Sequence, residues 1–188
     1  MSGKLIRKIT SVQPLSPESE QRLLDRITLS HLERNDRLLD EGKVCKAVYY
    51  IESGCVRSVM NVEGNEINLN FALDDSFTTN LKSLRNETPS EYTIQACEPS
   101  VIWRFDKNSL FELYNESPEI AGFGRNLLEQ LLVEQEEHAN LFKIKSPAER
   151  YHHILESNPL LLQKITLTQM ASYIGISRET LSRIRKSK

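Results

Sequence analysis

The chain has 188 residues, of which 39% are hydrophobic and 27% are charged, and its formal net charge is −2. These values are ordinary for a globular protein of one domain or two small ones, each able to bury a core. No apolar run reaches the roughly 18 residues of a transmembrane helix, and the N-terminus lacks the pattern of a secretory signal. We therefore expect a cytoplasmic protein whose cysteines, Cys45, Cys55 and Cys97, are reduced and bind no metal.

The small net charge hides an asymmetry along the chain. Residues 145–188 contain eight Lys or Arg and three acidic residues, so this end carries +5 and residues 1–144 carry −7. A basic end on an acidic body predicts that contact with a polyanion is confined to the C-terminal part.

The first predicted element is a helix that begins after Ser16, because a serine followed by Pro17 and Glu18 is typical of a helix start. From about residue 30 to residue 106, short apolar stretches are separated by turns. Period-two alternation with frequent turns predicts an antiparallel, jelly-roll-like β-roll. Within it, residues 77–87 have helical spacing and predict a short helix.

Two helices are predicted after the roll. Residues 107–116 predict a short one, and Ser117-Pro118 begins a long one that runs to about Lys143. Polar and apolar residues recur along the long helix at alternating steps of four and three, which is a heptad pattern. The predicted seam consists of Ile120, Gly124, Leu127, Leu131, Glu134, His138 and Leu141.

We interpret this seam as the contact between the long helices of a parallel homodimer, which leaves a second apolar stripe of Leu128, Leu132 and Phe142 to face the roll. The alternative is that the helix packs along the roll of its own subunit. His138 is interpreted as an ordinary seam residue rather than a metal ligand or pH sensor.

The chain restarts after a break at Lys145, which predicts a domain boundary. Ser146 and Glu149 have the spacing of a capping box, with proline at the first helical position. Thr166 and Gln169 have the same spacing and predict another helix start.

The helix after Thr166 is expected to end at Gly175, where a glycine accommodates a left-handed turn. Ala171 is small enough for two helices to approach closely, and Leu181 fills the angle between them. Together these residues predict a helix-turn-helix. We predict that DNA is contacted by Thr166, Thr168, Gln169, Ser177, Arg178, Glu179, Thr180, Ser182, Arg183 and Lys186.

The chemistry of these side chains suits the major groove of DNA. An arginine donates two hydrogen bonds to the O6 and N7 atoms of guanine, and a carboxylate accepts a hydrogen bond from N4 of cytosine. Hydroxyl groups can bond to phosphates or to bases. Helix N-termini offer free backbone N–H groups to phosphates. The alternative for the basic helix is a solvated surface.

The order of these parts resembles the Crp/Fnr family of bacterial transcription regulators over nearly the whole chain. The resemblance is carried by VYYIESGCVRSV (48–59), SPAERY (146–151) and above all ASYIGISRETLSRIRK (171–186). It implies a cyclic-nucleotide-binding-like roll, a homodimer through the long helix and a C-terminal DNA reader. It also implies that Arg178, Glu179 and Arg183 contact bases, with RNA polymerase as a candidate partner.

The effector pocket departs from the pattern of the family members that bind cyclic AMP. By that resemblance the pocket comprises Asn80, Leu81, Ser90, Glu91 and Tyr92. The arginine that would hold the cyclic phosphate is absent, and Glu91 brings a carboxylate that would repel the anion. We predict that cyclic AMP does not bind in the family's usual way and that the effector, if there is one, is another small molecule.

The sequence thus predicts an α+β protein with three parts: a sensor roll (1–116), a long dimerisation helix with a hinge (117–145) and a helix-turn-helix domain (146–188). The last part is expected to lack a downstream wing, or to build one from residues 160–165. The leading hypothesis is a homodimeric regulator that reads a pseudo-palindromic DNA site. The alternative is a small-molecule sensor whose basic tail contacts a protein. An enzyme is disfavoured, since no nucleophile–base spacing or glycine-rich phosphate loop occurs.

Overall fold

The computed structural model describes residues 3–186. In that part of the chain, the helices are α1 (Gly3–Val12), α2 (Pro17–Leu24), α3 (Leu81–Asn86), α4 (Lys107–Glu116), α5 (Pro118–Ile144), α6 (Pro147–Ser157), α7 (Leu161–Lys164), α8 (Leu167–Ile174) and α9 (Arg178–Lys186). The strands are β1 (Ile27–Leu32), β2 (Arg37–Leu39), β3 (Ala47–Ser53), β4 (Cys55–Val62), β5 (Asn65–Leu73), β6 (Ser76–Thr78), β7 (Thr93–Ala96) and β8 (Ser100–Asp106).

The strands form two four-stranded antiparallel sheets. The first has the order β1-β8-β3-β6 and the second β2-β7-β4-β5. Chain order and spatial order differ because β8 returns between β1 and β3, as in a roll. The predicted mixed α/β architecture with an antiparallel roll and flanking helices is confirmed.

Strand β3 shows how the roll is layered, because it is buried on both faces. Ala47, Tyr49 and Ile51 face the interior between the two sheets, whereas Val48 and Tyr50 face a layer of helices. Successive side chains of a strand point to opposite faces, so a strand between two apolar layers has no polar side. The first sheet is therefore the middle layer between the second sheet and helices α1, α2, α4 and α5.

The predicted helix starts carry the expected caps. The hydroxyl of Ser16 accepts from the backbone N–H of Ser19, and Ser117 caps α5 in the same way. Ser146 and Glu149 form a reciprocal capping box at α6. The short helix predicted within residues 77–87 is present as α3, but residues 77 and 78 belong to strand β6. Helix α1 was not predicted, and its Leu5 and Ile9 are fully buried in the helical layer.

The first half of the predicted dimer seam of α5 faces its own chain, so these residues are not available to a second subunit. Ile120, Leu127 and Leu131 lie in the core between the helices and the first sheet. A Cβ atom at Gly124 would lie 2.2 Å from the hydroxyl oxygen of Tyr114, so this glycine permits the close approach of α4. The other members, Glu134, His138 and Leu141, line a cleft beside the roll. A heptad pattern indicates an apolar face of a helix but does not indicate which surface packs against that face.

The stripe that was expected to pack on the roll is instead largely open. Leu128 is 43% exposed, Leu132 is 60% exposed, and the adjacent Val133 is 54% exposed. Phe142 is half-buried, against Tyr173 and His138. The packing alternative for the seam is thus the one that the structure supports.

The C-terminal helices have a separate small core, formed by Tyr151, Ile154, Leu161, Met170, Ala171, Ile174 and Leu181. Residues 160–165, which were a candidate for a wing, form helix α7 with its flanks, so that prediction is wrong. The three-part division of the chain stays a prediction. In residues 3–186 no helix combines the length and the apolar character needed to cross a membrane.

Candidate nucleic-acid interface and adjoining cleft

Helices α8 and α9 are joined by a tight turn. Gly175 has a φ of 77°, in the left-handed region, and its N–H bonds the carbonyls of Ala171 and Ser172 at the end of α8. The N–H of Ile176 also bonds the carbonyl of Ala171, at 3.0 Å. Leu181 is fully buried in the angle between the helices. The three residues singled out from the sequence therefore take the positions expected of them.

The side chains predicted to meet DNA lie on the outer side of this unit. Those that are exposed are Thr166, Thr168, Ser177, Arg178, Glu179, Ser182, Arg183 and Lys186, and Gln169 and Thr180 are half-buried. The apolar residues of α9, Leu181 and Ile184, turn inward. The face of α9 therefore presents cations and hydroxyls to the surroundings.

Several of these polar groups also have a structural task. Thr166 and Gln169 form a reciprocal capping box at the start of α8. The N–H of Thr180 donates to the Ser177 hydroxyl at 3.2 Å, and Arg183 donates to the Thr180 hydroxyl at 3.2 Å. These contacts order the first turn of α9 and hold the Arg183 guanidinium along it.

Glu179 is a carboxylate among cations. Its pKa is lowered from the ordinary value, first by the hydrogen bond from its own backbone N–H, then by one from Ser177, and further by Arg178 and Arg183. The first turn of a helix favours negative charge for the same reason. Glu179 is therefore an acceptor at neutral pH.

Arg150 ties the end of the long helix to the C-terminal helices. Its guanidinium donates to the carbonyls of Phe142 at 2.8 Å, Lys145 at 3.0 Å and Ile174 at 3.0 Å. It also lies 4.7 Å from the centre of the Phe142 ring. One side chain thus satisfies carbonyls at the C-terminal ends of both α5 and α8.

Helix α8 is docked on the edge strand of the second sheet. The Ser172 hydroxyl donates to the carbonyl of Glu66 at 2.9 Å and accepts from the N–H of Asn68 at 3.0 Å. Strand β5 is the last strand of its sheet, so this edge would otherwise offer unpaired backbone groups. A single serine side chain replaces the missing neighbouring strand at this point.

Aromatic residues extend the contact beyond the strand edge. Tyr173 packs edge-on against Phe71 of β5, with ring centres 5.2 Å apart, and stacks on His138 of α5 at 5.6 Å. Phe142 contacts both His138 and Tyr173. Burial lowers the pKa of His138, so the ring is neutral at neutral pH.

Lys164 of α7 makes a polar contact with the roll. Its ammonium pairs with Asp74 at 3.4 Å and, more closely, with Glu98. Burial lowers the pKa of Lys164, but the two carboxylates outweigh it and raise the pKa above the ordinary value. The C-terminal helices are therefore held to the roll by a serine bridge, an aromatic cluster and an ion pair.

A cleft of ≈ 970 Å³ lies between the roll, α5 and the C-terminal helices. Of the predicted effector residues, Asn80, Leu81, Glu91 and Tyr92 line it, together with the seam residues Leu131, Glu134, His138 and Leu141. Its charged lining residues are Asp74, Lys82, Glu91, Glu134, Glu137 and Lys164. Acidic groups outnumber cations in this lining, so the cleft is a poor environment for an anion.

The polar groups of the predicted effector pocket are engaged with one another. The Asn80 amide donates to the Ser90 hydroxyl at 2.8 Å, and its oxygen caps α3 by accepting from Ser83. Ser90 in turn donates to the carbonyl of Tyr92 at 2.6 Å. Glu91 is exposed and pairs with Lys82 at 2.6 Å. The structure brings the five residues together but leaves few of their donors for a ligand.

Sequence reasoning missed the residues that join the two halves of the molecule: Arg150, Lys164, Ser172 and Tyr173. Arg150 and Tyr173 stand inside the motifs SPAERY and ASYIG, but their roles depend on surfaces distant in the chain. The one local signal was Tyr173, because the other apolar residues of α8 already fill the face of that helix that points to its small core.

Comparisons with known proteins agree with this architecture. Residues 29–117 match the family model described as the cyclic nucleotide-binding domain, whereas no curated protein matches the chain. The structure of FixK2 from Bradyrhizobium japonicum is 18% identical and has a TM-score of 0.72, covering 85% of this chain and 83% of that one. CLP, described as a c-di-GMP-responsive global regulator of Xanthomonas campestris, is 17% identical at a TM-score of 0.70 (91% and 90%). A crp/fnr family protein from Eubacterium rectale is 19% identical at a TM-score of 0.69 (92% and 82%).

Proposed function

Because the chain carries a cyclic nucleotide-binding domain and has the fold of a Crp/Fnr-like regulator, we propose that it is a homodimeric transcription regulator that binds DNA in a sequence-specific way. The observation that carries the proposal is the exposed face of α9, with Arg178, Glu179, Ser182 and Arg183 turned outward on a two-helix unit. The alternative of a basic tail that contacts a protein is not favoured, since the structural neighbours include a protein described as a putative transcriptional regulator.

In the proposed complex α9 lies in the major groove as the recognition helix of a helix-turn-helix. Its first turn carries Arg178 and Glu179, the position from which such helices reach base edges. Arg183 follows along the same outer surface. A guanidinium can donate two hydrogen bonds to guanine, and a carboxylate can accept one from cytosine. These three side chains can therefore discriminate between base pairs. The free N–H groups at the start of α8, near Thr166, suit phosphate.

The proposed dimer uses the exposed stripe of α5 rather than the predicted seam. Leu128, Leu132 and Val133 are apolar, adjacent and exposed, and Leu128, Leu132, Gln135 and Ala139 follow heptad steps. The helix has 27 residues and is therefore about 40 Å long. An exposed apolar stripe on a helix of this length supports pairing with a second copy of the same helix, as in a two-stranded coiled coil.

The dimer is tested by reversing the polarity of that stripe. Leu132→Glu should convert the protein to a monomer in sedimentation velocity, because two carboxylates would meet near the dimer axis. Leu29→Glu is the matched control, since Leu29 on β1 is 46% exposed and lies outside α5. A Leu132→Glu protein that stays dimeric would exclude this face as the interface.

DNA binding is tested by selection from a random duplex library followed by fluorescence anisotropy at two salt concentrations. The expected result is an enriched pseudo-palindrome with half-sites about 34 Å apart, since two recognition helices enter successive major grooves. Enrichment of no sequence, with equally salt-sensitive binding to every duplex, would reduce the function to non-specific contact. DNA as partner would place the protein in the cytoplasm, and contact with RNA polymerase stays a prediction.

The proposed sensor cleft does not take cyclic AMP in the family's usual way. The mutual engagement of Asn80 and Ser90, and Glu91 at the pocket rim, support this proposal. Calorimetry with cyclic AMP should give no binding heat. Saturable binding that Glu91→Gln leaves unchanged would contradict the charge argument.

A further inference from the structure

Two cysteines face each other on the outer face of the second sheet. Strands β4 and β7 pair Val56 with Ala96, so the next rung of the antiparallel ladder places Cys55 opposite Cys97. The backbone supports this register, because the N–H of Cys97 donates to the carbonyl of Cys55 at 2.8 Å. Residues directly opposite in such a ladder have Cα atoms about 4.5–5.5 Å apart, within the range of about 4.4–6.8 Å that a disulfide requires.

The two thiols interact directly and differ in reactivity. A hydrogen bond between the two thiols lowers the pKa of Cys97, to which Arg57 also contributes. The same bond, with burial, raises the pKa of Cys55. The thiolate is the reactive form of cysteine, so Cys97 is the nucleophile of the pair and Cys55 is the thiol poised to resolve it.

From this juxtaposition we propose that Cys55 and Cys97 form a reversible disulfide when the protein meets a two-electron oxidant such as hydrogen peroxide. The Cys97 thiolate attacks one peroxide oxygen, which breaks the O–O bond, gives a sulfenic acid on Cys97 and releases hydroxide. The hydroxide takes up the proton lost by Cys97. Cys55 then attacks the Cys97 sulfur, loses its own proton and displaces the sulfenic oxygen as water. Two thiols and one peroxide become one disulfide and two waters.

The position of Cys97 gives the oxidant a route to a buried pair. Cys55 is fully buried and Cys97 is 7% exposed, but Cys97 is the first residue after β7 and lies in a bend that continues through Pro99. Local opening of such a bend requires far less free energy than global unfolding. The third cysteine has no such setting, since Cys45 lies in the core between the sheets and its thiol bonds the carbonyl of Ala47.

The disulfide would also act on the C-terminal helices. Glu98 follows Cys97 directly and pairs with Lys164 of α7, and Lys164 is close enough to influence the Cys55 thiol electrostatically. A disulfide fixes the side-chain torsions of Cys97 and so constrains the bend that presents Glu98 to Lys164. Oxidation should therefore alter the attachment of α7 to the roll.

The site is tested on the full chain by peroxide treatment, denaturing alkylation and peptide mapping. Wild type should lose two of its three alkylatable thiols, show a Cys55–Cys97 cross-linked peptide and recover all three thiols with dithiothreitol. Cys45→Ser, the matched control, should still lose two. Cys55→Ser should give no cross-link and a trappable sulfenic acid on Cys97. Three intact thiols in wild type, or a cross-link that involves Cys45, would overturn the proposal without need of any variant.

The effect on α7 is tested by hydrogen exchange. Amides of residues 161–165 should exchange at different rates in the oxidised and the reduced protein, and Cys97→Ala should show no peroxide-dependent change. Equal exchange rates in the oxidised and reduced wild-type protein would refute the coupling to the C-terminal helices. Whether the disulfide forms is decided separately, by the peptide mapping.

Discussion

The effector-pocket residues and the outer face of α9 were both expected to meet a ligand, and they use their polar groups in opposite ways. In the pocket, Asn80 and Ser90 bond each other and Glu91 is paired with Lys82. On α9, Arg178 and Ser182 are exposed at the surface. Polar groups that are hydrogen-bonded within the fold contribute to its stability, whereas polar groups exposed at the surface are available to a binding partner. Substitutions in the two regions should therefore have separable effects.

The largest effect is expected on DNA binding from Arg178→Ala. Loss of a forked contact to a base should weaken specific binding by about 1–3 kcal/mol and relax one position of the site, with an unchanged melting temperature. Arg85→Ala, which removes an exposed cation from α3, is the matched control for net charge. Anisotropy titrations against single-base variants of the selected site give the measurement. An equal loss on every sequence would assign Arg178 to phosphate instead.

The reverse pattern is expected for Asn80→Ala. This change removes the cap of α3 and leaves Ser90 without its donor, which should lower the free energy of unfolding by about 1–2 kcal/mol. DNA affinity of the folded protein should be unchanged. Urea denaturation measures the loss, with Ser182→Ala on α9 as a control expected within about 0.5 kcal/mol. Similar losses for both variants would remove the distinction between the two regions.

The Ser172 bridge between α8 and β5 should contribute less free energy than the contacts of Arg178 or Asn80. Ser172→Ala removes the hydroxyl that bridges Glu66 and Asn68 on the β5 edge, and water can partly replace it at this surface. A loss of about 0.5–1.5 kcal/mol is expected, together with faster exchange of the Asn68 amide. Unchanged exchange at Asn68 would show that the bridge does not hold α8 to the roll.

The smallest effect is a pH dependence from His138. Burial lowers its pKa below the ordinary value of 6.5, so as pH falls through about 6.5 the unfolded chain binds a proton before the folded chain does. The stability that depends on the neutral ring is present above that pH and is lost as pH falls to the folded-state pKa. Melting temperatures at about pH 7.5 and 5.5 should diverge more for wild type than for His138→Phe. His31→Phe, on an exposed strand position, should behave like wild type.

Local patterns in the sequence predict much of this fold. Helix caps such as Ser117 and Thr166, and the turn glycine Gly175, act through atoms within a few residues, so their spacing in the chain is sufficient to find them. Helix α1 was missed because Leu5 and Ile9 stand in a basic, polar stretch. Residues 160–165 were misjudged because four residues of helix leave almost no periodic signal.

The partners of each face could not be predicted in the same way. The heptad of α5 correctly identified a continuous face, yet the face was assigned to a second subunit when it packs against the first sheet. Amphipathic spacing is identical for a helix that meets its own domain and for one that meets a copy. The decision depends on how much apolar surface the roll presents, which is a property of strands far away in the chain.

The sequence by itself determined an antiparallel roll followed by helices, several helix caps and the turn at Gly175, the basic C-terminal end and the outward set of α9, because each depends on interactions between near neighbours. Only the tertiary structure decided which stripe of α5 is exposed, that Ser172 and Tyr173 attach α8 to β5, and that Cys55 and Cys97 lie opposite each other. These are contacts between residues far apart in the chain. A local sequence pattern does not indicate which distant surface will pack against it.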